Sequence, residues 1–127
     1  MNDWNLRTVD AEPHHPLILS TTTDARAILL HIPAGERMQE HEVHERAWVL
    51  VIEGEIDMST PADGASRSAG PGHLFEFDPH ERHEVSAKAD TRLLLLLTPW
   101  PGAGHPGAMT LEEKAEARAH AAEHTER

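Results

Sequence analysis

The 127-residue chain has no cysteine. That excludes a disulfide framework and any thiolate-held zinc or iron–sulfur site. Bases are scarce: 11 Lys and Arg stand against 22 Asp and Glu, a formal net charge of −11. A nucleic-acid surface needs clustered Lys and Arg, so that partner class is excluded. Lys88 and Lys114 are the only lysines, which leaves Schiff-base catalysis little to work with. A Gly-x-Ser-x-Gly elbow and a phosphate-binding loop with its Lys are both missing. No apolar run approaches the roughly 20 residues that span a bilayer, so no membrane partner is expected. Met1 to Val9 is polar and charged, unlike a signal peptide. Together these absences give the expectation of a soluble, cytoplasmic protein. The length fits one domain. What the chain does have in excess is histidine, 11 residues, as many as Lys and Arg together.

Short apolar runs fill the sequence to Pro99: Leu17–Leu19, Ala27–Ile32, Trp48–Ile52, Ile56–Met58, Leu74–Phe77 and Leu93–Leu97. Each has strand length, whereas a buried helix needs ten residues or more. Pro33-Ala-Gly35, Glu53-Gly54, Pro61-Ala-Asp-Gly64 and Gly70-Pro-Gly72 punctuate them. Glu53-Gly54 reads as a tight hairpin, and Asp63-Gly64 is the stronger turn dipeptide. Many short strands at near-regular spacing predict an all-β sandwich or barrel. Trp48–Ile52 and Leu93–Leu97 are apolar at successive positions, so both of their faces need cover. A second copy of the chain is the simplest outer cover, which predicts a homodimer; the N-terminal and C-terminal segments are the alternative. Residues 1–99 are expected to form the barrel and 100–127 a turn-rich arm followed by a short α-helix. Thr110-Leu-Glu-Glu113 has the capping-box form, and Ala-rich sequence follows it.

Two stretches carry the chemistry. The first is Gly35-Glu-Arg-Met-Gln-Glu-His41-Glu-Val-His44-Glu-Arg-Ala-Trp48, running on to Glu53-Gly54. The second is Gly72-His-Leu-Phe-Glu-Phe-Asp-Pro79-His-Glu-Arg-His83. Together, over roughly residues 25–98, they resemble the two motifs of the cupin superfamily. The resemblance implies a single-domain jelly-roll barrel. By position, His41 matches the family's first metal-binding His and His83 the second-motif His. The family's second His position falls on Val43 and its Glu position on Ala47, while His80 stands where Gly is common. Two of four usual ligands are therefore present.

His41 and His44 are three apart and point to opposite faces of a flat strand. A β-bulge between them, such as one at Glu42–Val43, is needed to turn both inward. His41, His44 and His83 would then form a three-imidazole metal site. Zn, Ni, Fe, Mn and Cu suit such ligands about equally, with Gln39, Glu45 or Glu76 as the nearest fourth ligand. Without the bulge, His41 and His83 act as hydrogen-bonding groups in a ligand cavity together with Glu76 and Trp48. No organic cofactor is expected. His14-His15 read as loop, His73 as a turn residue, His80 as barrel rim and His105 as part of the arm. His31 is read as a satisfied or cavity-facing strand residue, and His120 and His124 as a solvated helix face. Arg37, Arg46 and Arg82 are placed to pair with the surrounding acids or to receive a carboxylate.

Beside a purely structural partner protein, which would use the barrel exterior and tail, two functional classes follow. One is a binder of a small organic molecule in a histidine-lined barrel. The other is a mononuclear metal-dependent enzyme, dioxygenase- or isomerase-like by the family resemblance. A fold that hosts many chemistries does not choose between them.

Overall fold

A computed structural model describes residues 1–105 and, within them, every side chain except those of residues 39–41. The expected helix after Thr110 lies outside the described residues. The strands are β1 (Leu17–Thr21), β2 (Arg26–Ile32), β3 (Arg37–His41), β4 (Arg46–Glu53), β5 (Ile56–Thr60), β6 (Ala65–Ala69), β7 (Leu74–Phe77), β8 (His83–Ala87) and β9 (Thr91–Thr98). Each apolar run of the sequence became a strand. Among the described residues no helix is long and apolar enough to cross a membrane.

The strands make two sheets, one ordered β1-β2-β9-β4-β7 and the other β3-β8-β5-β6. Their pairing is nested around one hairpin. Asp63 and Gly64 turn β5 into β6, with Thr60 opposite Ala65. Gly64 takes φ +70°, which glycine reaches without steric cost. Around that turn β4 pairs with β7, β3 with β8 and β2 with β9. This is a jelly roll, a long hairpin rolled into two facing sheets.

Glu53-Gly54 does not make the expected hairpin. β4 and β5 lie in different sheets, so the chain crosses the barrel there. Gly54, at φ +98°, passes so close to the β8–β9 turn that a Cβ would lie 2.4 Å from the carbonyl oxygen of Asp90. A close crossing and a hairpin turn ask for the same residue, and the local sequence does not separate them.

Alternation along the strands sets the core. Ala47, Val49 and Val51 of β4 meet Leu93 and Leu97 of β9, and Ile56, Met58 and Val85 close from the opposite sheet. The intervening residues of the five-stranded sheet face outward. Register aligns Leu17, Leu29, Leu94, Leu50 and Leu74 in one row across all five strands. The N-terminal segment covers part of this face. Arg92 Nη1 donates to the carbonyls of Leu6 (3.1 Å) and Val9 (2.6 Å), and Leu29 is fully buried. At the far edge Leu74 remains 54% exposed.

Candidate functional site

β3 and β8 bring the two motifs together. His41 is the register partner of His83, with an irregularity in β3 between Met38 and His41. The His83 ring is buried and stacks on Phe77, centroids 4.1 Å apart and planes 13° from parallel. Its Nδ1 lies 3.2 Å from the carbonyl of Glu81. A carbonyl only accepts, so this contact assigns a proton to Nδ1.

His44 does not join this pair. The strand irregularity lies before His41 rather than at Glu42–Val43, and β3 ends at His41. His44 therefore falls on the β3–β4 loop, where its ring meets His80 at 4.9 Å and His105 at 5.6 Å, both edge to face. The two other positions of the family's metal set are apolar in place as well as in sequence: Val43 packs against the core and Ala47 is fully buried within it.

Two of the three proposed fourth donors are occupied, and the Gln39 side chain lies outside the described ones. Glu45 is buried, and its Oε2 accepts the backbone N–H of Gly102 at 2.7 Å. Glu76 accepts from Arg46 Nη1 at 2.9 Å. Arg46 also binds Asp78 at 2.8 Å, and that hydrogen bond above all raises the Arg46 pKa. Among the described residues no three His, Asp or Glu side chains are arranged to hold a metal. With Val43 and Ala47 at two of its positions, the family's four-ligand set is not made up by the residues present.

Trp48 and Glu76 are register partners on the face turned away from the core, because Ala47 and Val49 take the inward positions of β4. Trp48 therefore does not line the barrel interior. Glu76 borders a separate cavity of about 220 Å³ beside Met58, Arg67 and Phe75. His31 also faces outward, its Nδ1 3.0 Å from the carbonyl of Ala11, the satisfied reading of that residue. The three arginines near the motifs all meet acids: Arg37 with Glu84, Arg46 with Glu76 and Asp78, and Arg82 with Glu42.

A cavity of about 400 Å³ opens elsewhere, between the loop before β1, the end of β2 and the start of β3. Leu30 and Ile32 of β2 and Met38 of β3 line it, with His14, His15, Pro16, His31 and Arg37 around them. His14 has φ +64° and pairs with the Glu36 carboxylate. The sequence reading placed His14-His15 in a plain loop; the histidine pair directly before the first strand was the available signal.

The arm closes the barrel's other end. Trp100 packs against the core, under the Arg26 guanidinium at 3.9 Å, and its ring meets that of His105 at 4.6 Å. Gly102 passes so near the β3–β4 loop that a Cβ would lie 2.4 Å from the carbonyl oxygen of His44.

Comparison with known proteins agrees with this architecture. The cupin domain family model matches residues 28–99. An L-ectoine synthase from Thermobifida fusca (strain YX) is 39% identical over 51 residues, which cover 40% of this chain and 38% of that protein. The match thus spans under two fifths of the curated relative's length. An RmlC-like cupin from Desulfovibrio desulfuricans superposes with a TM-score of 0.69 at 19% identity, covering 78% of this chain and 97% of that one. A cupin superfamily protein from Desulfitobacterium hafniense DCB-2 gives 0.64 at 18% identity, covering 74% and 86%.

Proposed function

The chain belongs to the cupin family, and from that premise we propose that it binds a small organic molecule in the barrel's histidine-lined seam. The 400 Å³ cavity carries this reading. Its volume is within the range of small-molecule sites, roughly 300–1,000 Å³. Leu30, Ile32 and Met38 offer an apolar wall, and the histidines and Arg37 supply the few polar groups that orient a ligand. The likeness to L-ectoine synthases supports a small molecule as the occupant.

Thermal-shift screening of the untagged protein against small acids, phenols and polar solutes tests the proposal. A ligand at 100 times its dissociation constant adds about 2.7 kcal/mol to stability. Leu30→Phe, which fills the cavity, is expected to abolish that gain. If no compound in a broad library stabilises the protein, the reading fails.

A second reading, a metal-dependent enzyme of dioxygenase or isomerase type, rests on the register that sets His41 opposite His83. Two imidazoles fall short of the three protein ligands usual in a catalytic mononuclear site. This reading expects a divalent transition metal near one per chain in native protein, lost in His83→Ala. A content below about a tenth per chain after growth in metal-supplemented medium would rule it out. We also propose a homodimer, in which a second copy covers the apolar outer row of the five-stranded sheet.

A further inference from the structure

Neither reading uses the histidines at the closed end of the barrel. His44, His80 and His105 come from three separate segments: the β3–β4 loop, the β7–β8 loop and the arm. The first two loops are tied by a backbone bond from His80 N to Val43 O at 2.8 Å. Glu45 ties the arm to the same place through Gly102.

Three observations mark this cluster. His44 Nδ1 is buried and has no hydrogen-bond partner, and no other side-chain atom among the described residues shares that condition. Such atoms are rare in folded proteins, and a missing water or ion is one of their standard explanations. Gly104 borders that nitrogen: a Cβ there would stand 3.6 Å from Nδ1, in van der Waals contact with it. His80 is held at φ +66°, an uncommon conformation for a residue with a side chain. Its Nδ1 lies 3.5 Å from a Glu42 carboxylate oxygen, the type of partner that orients a metal-binding imidazole from behind.

We propose that His44, His80 and His105 form a site for a divalent d-block cation of the zinc class, separate from the His41–His83 position. Zn–N bonds of 2.0–2.1 Å place two imidazole centroids around a tetrahedral ion about 5 Å apart. The two spacings from His44, 4.9 Å to His80 and 5.6 Å to His105, bracket that value. The rings now meet edge to face, and no three donors converge on one point. Rotation of the side chains on their present backbones is the motion the ion requires. All three donors are nitrogens, which favours zinc, nickel or copper over magnesium or calcium. Because His105 belongs to the arm, a bound ion fastens the arm to two barrel loops.

The test uses full-length untagged protein stripped with a chelator and titrated with Co²⁺, read by visible d–d absorption and by competition with Zn²⁺. One ion per chain with the intense absorption of tetrahedral coordination is expected, together with a rise in melting temperature. His80→Gly keeps the backbone conformation accessible and is expected to weaken binding about tenfold or more, as is His105→Ala. His83→Ala and the tail variant His120→Ala/His124→Ala are expected to bind as the parent does. Absence of tetrahedral absorption overturns the proposal, and so does undiminished binding in His80→Gly. Loss of binding in His83→Ala moves the ion to the barrel interior, and loss in the tail variant moves it to the C-terminal segment; either result also overturns the proposal.

Discussion

In the five-stranded sheet, β4 reads Arg46-Ala-Trp-Val-Leu-Val-Ile-Glu53 and β9 holds five consecutive leucines. In the four-stranded sheet, β6 reads Ala65-Ser-Arg-Ser-Ala69 and β8 reads His83-Glu-Val-Ser-Ala87. Both sheets contribute to one core, so their inner faces are alike; the difference lies outside. The outer face of the four-stranded sheet carries ion pairs, Arg37 with Glu84 and Lys88 with Asp57. That of the five-stranded sheet carries a row of leucines. A sheet finished with charges can face water, whereas one finished with leucines gains stability from any further cover.

The largest expected effects test the likeness of the inner faces. Leu93 and Ile56 are both wholly buried, one from each sheet. Leu93→Ala and Ile56→Ala should each lower unfolding free energy by about 2–5 kcal/mol in urea titrations. A loss confined to one of them would show that the sheets do not share a core.

Next comes the place where the arm meets the β3–β4 loop. Glu45→Ala removes the buried acceptor of the Gly102 N–H and should cost about 1–3 kcal/mol. Hydrogen exchange should rise at Gly102 while the β4 amides stay protected. Unchanged exchange at Gly102 would mean that the arm is held by Trp100 alone.

Smaller in stability but decisive for the outer faces is a pair of charge insertions. Leu50→Glu with Leu74→Glu should leave a particle of one 14.1 kDa chain by light scattering. Ser66→Glu, on the outer face of the polar sheet, should leave the assembly of the parent intact. A parent that is itself one chain in mass would instead leave the leucine row as monomer surface.

The smallest effect concerns Asp57. Its carboxyl is held below the ordinary carboxylate range, first by the Ser68 hydroxyl and then by Lys88. A lowered folded pKa contributes stability that is present above the ordinary value and lost as pH falls through the folded one. Asp57→Asn should flatten the fall in urea midpoint below about pH 4 and change little at neutral pH. An identical acid limb in the variant would show that the outer pairs of this sheet are fully screened.

The same contrast explains what was legible in the sequence. Strands β1, β2, β4, β5, β7 and β9 announced themselves as apolar runs, and the motif spacing pointed to the jelly roll. Strands β3, β6 and β8 gave no run, because the apolar residues they are seen to turn toward the core, Met38, Ala69, Val85 and Ala87, are never consecutive. Site residues fared less well for a related reason. Trp48 and Glu76 lie in β4 and β7, whose inward positions belong to Ala47 and Val49 and to Phe75 and Phe77, and parity depends on which sheet a strand joins. The position of His44 turned on where one irregularity fell in β3, a choice of three residues that no local pattern fixes. The clustering of His44 with His80 and His105 was not readable either, since it joins positions brought together only by closure of the barrel.

The nested pairing also bears on the order in which this chain acquires its structure. The β5–β6 hairpin closes over a four-residue turn, whereas Ile32 must find Thr91, and Arg26 must find Leu97. Contacts of long sequence separation carry the larger closure entropy and slow folding. Assembly is therefore expected to spread outward from Asp63-Gly64, with β2 and β9 joining late. During synthesis β4 and β2 emerge long before β9, the strand that joins them. Until Thr98 has left the ribosome β2 has only β1 beside it and β4 only β7, and the apolar residues that await β9 make the nascent chain a candidate for chaperone binding.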